Sequence, residues 1–68
     1  GDMLTLKVLG EGREAGQGIG YLDDGTLVVI EAGAQYIGSQ VTVTIQRMLQ
    51  TNSGRLVFAQ PVAKEEQG

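Results

Sequence analysis

Leu4, Leu6 and Val8 fall on one side of an extended segment, with Thr5 and Lys7 on the other, so residues 4–9 are predicted to form a half-buried strand. Residues 10–17 break the alternation with glycine and charge and read as a loop. Residues 18–22 and 26–30 flank Asp23-Asp24-Gly25, and Asp-Gly between two apolar runs is a strong hairpin signal. The run from Thr26 to Ile30 is apolar on both faces, the pattern of a strand in the middle of a barrel. Residues 31–40 contain Gly33 and Gly38 and leave room for one helical turn around residues 35–37.

The longest strand pattern covers residues 41–49, with Val41, Val43 and Ile45 pointing one way and Thr42, Thr44 and Gln46 the other. Thr51-Asn52-Ser53-Gly54 is a turn, residues 55–59 return as a fifth strand, and Pro61 ends it. Residues 61–68 read as a solvated tail, and Gly1-Asp2-Met3 reads as a cleavage scar ahead of a start. The short chain is therefore expected to be a domain cut from a longer protein. Five short strands with almost no helix predict an all-β fold over residues 4–60, a small closed or nearly closed barrel with at most one short helical turn.

The second hairpin poses a problem of faces. A loop at residues 51–54 pairs Gln50 with Arg55, Leu49 with Leu56, Met48 with Val57 and Arg47 with Phe58. Strict alternation then places Arg47 on the side of Val41, Val43, Ile45, Leu49, Leu56 and Phe58, which should be core, where an unpaired guanidinium is costly. Either a bulge between Ile45 and Met48 flips the register, or Arg47 escapes at the barrel rim and stacks on Phe58. Both outcomes bring it to the surface as a cation able to face a ligand. Phe58 itself is assigned to the core, and Tyr21 either to the core or to a surface stacking platform.

Composition narrows the chemistry. The 68 residues include no cysteine and no histidine, which excludes disulfides, thiolate nucleophiles, Ser-His-Asp arrangements and His- or Cys-based metal sites. The formal net charge is −3, but between Leu4 and Ala59 four cations (Lys7, Arg13, Arg47, Arg55) face five anions (Glu11, Glu14, Asp23, Asp24, Glu31), leaving −1. Weak nucleic-acid binding is compatible with that balance and tight non-specific binding is not. No apolar run is long enough to span a membrane and no signal peptide is present, so the expected location is cytoplasmic.

Gly10-Glu11-Gly12-Arg13-Glu14-Ala15 fits G-x-G-x-x-A after a strand, with Glu31 where a ribose-binding acid would stand. The fingerprint requires a helix directly afterwards, and Gly16, Gly18 and Gly20 occupy that stretch at about 1 kcal/mol each relative to alanine. A dinucleotide site is excluded on that ground. Asp23 and Asp24 are turn formers, and Glu11 and Glu14 form a solvated loop face with Arg13. No paired general acid and base emerges, so neither catalysis, nor a bound metal, nor a cofactor is expected of this chain.

The runs GREAGQGIGYLDDGTLVVIEAG, YIGSQVTVTI and LQTNSGRLVFA, in this order and spacing, resemble the TRAM domain, most closely the version at the C-terminus of PIN–TRAM (YacL-type) proteins. The resemblance covers residues 4–61. It departs from the family at Tyr36-Ile37-Gly38-Ser39-Gln40, which lacks the common Pro-Gly-Glu, and at Arg47, where a small or polar residue is expected. It implies an OB-like barrel that binds RNA, or nucleic acid more broadly, and delivers it to a catalytic domain in the same polypeptide, a metal-dependent PIN nuclease. On that basis Lys7, Arg13, Arg47 and Arg55 are expected to meet phosphates and Tyr21 to offer a stacking face. Gln17 and the glycine-loop backbone around Gly18 are expected to add contacts. The expected partner is RNA or other nucleic acid, bound weakly by this domain alone. The alternative is a protein-interaction or oligomerisation module that docks through a strand edge or the Met48 and Val57 face.

Overall fold

The computed structural model describes residues 2–62, so residues 63–68 of the expected tail lie outside the described residues. Strands β1 (Met3–Lys7), β2 (Gly10–Glu11), β3 (Gly18–Tyr21) and β4 (Leu27–Ile30) precede a single 3-10 turn, Gly33–Tyr36. Strands β5 (Gln40–Thr51) and β6 (Gly54–Pro61) follow it. They form one curled sheet in the order β1-β5-β6-β4-β3-β2. Six strands stand where five were expected, because the glycine-rich loop contributes the two-residue β2, which pairs with Gly18 and Ile19 of β3.

The two outermost strands are consecutive in the chain, and this is what curls the sheet. Up to Lys7 the first segment pairs with β5. At Val8 its N–H donates to the Ser39 carbonyl (3.0 Å), while the Gly38 N–H donates to the Val8 carbonyl (2.8 Å). One residue later the Leu9 N–H donates to Ile19 of β3 (2.7 Å). The segment thus changes partner across two residues and brings opposite edges of the sheet together.

Inside the curl lie Leu6, Val8, Val28, Ile30, Val43, Val57 and Ala59, with Leu4, Leu22, Tyr36, Val41 and Ile45 packed against them. Most of the buried side chains are no larger than valine, Leu6 and Ile30 being the largest, and the interior is tighter still at two glycines. A Cβ on Gly18 would lie 2.8 Å from the Gly33 backbone and from Val8 Cγ1. A Cβ on Gly20 would lie 2.6 Å from the Lys7 carbonyl oxygen. Glycine at 18 and 20 therefore lets β3 approach β1 and the 3-10 turn.

Both hairpins form as the turn residues dictate. Between β3 and β4, Tyr21 pairs with Leu27. The turn uses Gly25 at φ 90° and an acceptor on Asp24 Oδ1 for the Thr26 N–H at 3.0 Å. Between β5 and β6, Thr51 pairs with Gly54 around Asn52-Ser53, and the register is Gln50 with Arg55, Leu49 with Leu56, Met48 with Val57 and Arg47 with Phe58. Thr51 Oγ1 closes this turn, donating to the Gly54 carbonyl (2.7 Å) and accepting from the Ser53 N–H (3.2 Å).

The ladder then slips. Ile45 pairs with Ala59 but Arg47 pairs with Phe58, so Gln46 is the extra residue of a β-bulge. The bulge exchanges the faces of β5 beyond it. Val43 and Ile45 face the core, whereas Arg47 and Leu49 face outward beside Phe58 and Leu56. This corrects the core assignment of Phe58: Val57 and Ala59 fill the interior from β6, and Phe58 is half-buried on the outer face. The cause is volume, since the narrow inside of the curled sheet admits valine and alanine where a phenyl ring does not fit. A parallel pairing of β4 with β6, Leu27 with Leu56 through Ile30 with Ala59, joins the two hairpins.

Candidate nucleic-acid interface

The register of four adjacent strands arranges the outer face into two rows. Ile19, Val29, Phe58 and Arg47 are cross-strand neighbours in one, and Tyr21, Leu27, Leu56 and Leu49 in the other. All but Arg47 and Leu49 line an outer groove of about 780 Å³, walled at one end by Glu11, Gly12, Arg13, Glu14 and Gln17. Its floor is apolar because β4 and β6 are apolar on both faces, and only one of those faces can look into the core.

Two aromatic side chains stand on this floor. Tyr21 is 55% exposed. The Arg47 guanidinium carbon lies over the Phe58 ring, 5.9 Å from its centroid, a cation–π contact that keeps a positive charge on the groove margin. Both resolutions foreseen for Arg47 therefore operate together: the bulge turns it outward, and the ring receives it.

The loop wall is held in place by Gln17. Its backbone carbonyl accepts from the Gly12 N–H (2.7 Å) and its N–H donates to the Glu14 carbonyl (3.1 Å). Its side chain accepts from the Glu14 N–H (3.3 Å) through Oε1 and donates to Glu31 Oε2 (3.2 Å) through Nε2. A Cβ on Gly12 would lie 2.7 Å from Gln17 Cβ, so the chain must be bare there for the loop to fold onto this side chain. Gln17 thus positions Arg13 at the groove.

Not every candidate residue gathers here. Arg13, Gln17, Tyr21 and Arg47 share the groove or its margin. Arg55 is three residues from Phe58 in β6 and alternates to the other face, near Asp24. The Asp24 carboxyl is held below its ordinary value, first by the Thr26 side chain, then by the Thr26 N–H, with the Arg55 charge adding to the effect. Lys7 lines a separate cleft with Thr5, Tyr21, Asp23, Asp24 and Gln40. Gly18 points inward, so its missing side chain serves packing. Residues overlooked at the sequence level are the floor itself, Ile19, Leu27, Val29, Leu56 and Phe58. The signal for them was the apolarity of Leu27–Ile30 on both faces.

Among the described residues, no group of three or more Asp or Glu side chains could hold a metal ion, and no helix is long and apolar enough to cross a membrane. The TRAM domain model matches residues 1–58. A PIN and TRAM-domain containing protein of Synechocystis is 52% identical over 61 residues, covering 90% of this chain and 17% of that protein. The Bacillus subtilis PIN and TRAM-domain containing protein YacL is 42% identical over 66 residues, 97% of this chain and 18% of that protein. A Thermus thermophilus PIN and TRAM-domain containing protein is 48% identical over 61 residues, 90% of this chain and 18% of its own length. The chain thus spans less than a fifth of each of these relatives. No solved structure matches it. On the family match and these relatives together, the chain belongs to the TRAM domain family.

Proposed function

We propose that this domain is an accessory nucleic-acid-binding module, most simply for RNA, that presents substrate to a PIN nuclease domain in a longer, cytoplasmic parent protein. The outer groove carries the reading: a half-buried apolar floor open to solvent, with the exposed Tyr21 ring and the Phe58 ring, the latter under an arginine. Exposed aromatic platforms flanked by cations are what bases and phosphates need. Arg47 and Arg13 meet phosphates at the two ends of the groove, Tyr21 stacks on a base, and Gln17 holds the loop that carries Arg13. Lys7 and Arg55, lying away from the groove, add charge attraction rather than direct contact. The PIN partner is supported by the composition of the relatives.

Glu11 and Glu14 stand beside Arg13, so the groove carries little net positive charge and affinity is weak, on the order of micromolar or worse against the nanomolar range of specific binders. Anisotropy titration with a short labelled RNA at two salt concentrations tests the proposal. The expected salt slope is shallow, about −0.7 per phosphate contacted. Arg47→Ala reduces both affinity and slope. No detectable binding at low salt overturns the reading.

One observation favours a second reading, docking to another protein. Beyond Ile45, β5 is paired only on its β6 side among the described residues, and Met48 there is 53% exposed. Light scattering that shows a concentration-dependent dimer, unaffected by added RNA, selects this alternative.

A further inference from the structure

Resting on the nucleic-acid reading above, the geometry points to unpaired nucleotides, held by base stacking, as the ligand of the outer groove; a paired duplex does not fit its chemistry. Three observations carry this inference. The first is the floor. Ile19, Leu27, Val29 and Leu56 lie between Tyr21 and Phe58 and offer no hydrogen-bonding side chain. Their backbone groups are engaged in the β3–β4–β6 ladders. Only the flat faces of bases can cover such a surface, and in a duplex those faces are buried in the stack.

The second is charge. Arg13 and Arg47 at the groove are matched by Glu11 and Glu14. A duplex offers this face its phosphates, and a locally neutral surface releases few of the counterions that drive such binding. Laying phosphates against the apolar floor also strips their water without replacing it. A single strand can turn its bases down onto the floor and its phosphates outward, away from the two glutamates.

The third is spacing. Tyr21 and Phe58 belong to strands two positions apart in the sheet, so they stand about 10 Å apart across it. One base cannot cover both rings, so at least two bases engage the groove. Arg47, held over Phe58, offers its guanidinium plane as a further stacking surface while its charge faces a phosphate.

The test compares three labelled ligands at low salt: a single strand of about eight nucleotides, within the usual site size, the same sequence as a blunt duplex, and an abasic oligomer of equal charge. The expected result is that duplex and abasic oligomer each bind at least fivefold more weakly than the single strand. Tyr21→Ala should weaken the single strand at least fivefold while leaving the melting temperature in place, and Phe58→Leu, which keeps an apolar side chain but removes the flat ring, should act likewise. Duplex or abasic binding within fivefold of the single strand overturns the inference and leaves the nucleic-acid reading standing. Absence of binding by all three ligands overturns both.

Discussion

Replacing Gly18 by alanine tests whether the bare glycine segment is built for packing or for a ligand. The added Cβ would meet the Gly33 carbonyl carbon and oxygen and Val8 Cγ1, each at 2.8 Å. Carbon atoms in contact stand at least about 3.5 Å apart, so β3 must retreat by roughly 0.7 Å from neighbours on two sides. Little can yield. A Cβ built on Gly33 would itself lie 2.8 Å from Ile30 Cβ, so there is little room behind it, and the Ala34 N–H is tied to the Gly16 carbonyl at 3.1 Å. Overpacking of this kind costs about 2–3 kcal/mol, a large share of the roughly 3–10 kcal/mol available to a domain of this size. The melting temperature should fall by roughly 10–20 °C. Gly10→Ala is the control, because a Cβ there meets nothing within 4 Å; its effect should stay within about 0.5 kcal/mol. The chain has no tryptophan, so far-UV circular dichroism in thermal and urea unfolding is the assay. If Gly18→Ala melts with the wild type, or if Gly10→Ala loses as much, the packing explanation is wrong. A Gly18→Ala protein of unchanged stability but lost RNA binding would return Gly18 to the ligand surface.

Arg47→Ala should leave stability within about 1 kcal/mol, since an exposed cation–π contact is worth no more, and should flatten the salt dependence of RNA binding by about 0.7 in slope. RNA and DNA single strands of one sequence should bind within about threefold of each other by anisotropy, because stacking on every base face is sequence-tolerant and does not read the sugar. Asp24 has its folded-state pKa depressed below 3.8, chiefly through the Thr26 side chain and N–H. Its contribution to stability is therefore complete above that value and is lost as pH falls through the lower folded-state value. Urea midpoints measured from pH 6 downward should show a steeper acid-side decline for wild type than for Asp24→Asn.

Much of this architecture was legible because local chemistry leaves few choices. Asp24-Gly25 and Asn52-Ser53-Gly54 fix their turns, and the second turn fixes the register from Arg47 to Phe58. A lone arginine in an otherwise apolar row forced the bulge, since a charge cannot stay in so thin a core. The curl and the outer groove were less legible. Alternation says nothing of partners distant in sequence, so the parallel β4–β6 pairing and the partner change at Val8 and Leu9 lay out of reach. Phe58 lies on the outer face because hydrophobic rank does not by itself set depth. On β6 and β3 of this curled sheet the interior takes Val57, Ala59, Gly18 and Gly20, and the larger Leu56 and Phe58 go outside.

That inversion of size has a functional consequence. A curled sheet with a narrow interior obtains its stability from compact aliphatic side chains, none larger than Ile30 among those fully buried, and from close backbone approach on the inner face. On β3 and β6 the bulkier apolar residues, Ile19, Tyr21, Leu56 and Phe58, lie on the outer face, open to water until a ligand covers them. A contiguous apolar surface of this sort marks a site of association rather than a packing fault. It also separates two properties that many binding sites combine. Inner-face changes such as Gly18→Ala should lower the melting temperature while the protein that remains folded binds normally. Outer-face changes such as Tyr21→Ala should abolish stacking at an unchanged melting temperature. A Tyr21→Ala variant that melts early would mean that the outer face helps hold the sheet together, and the division between the two faces would fail.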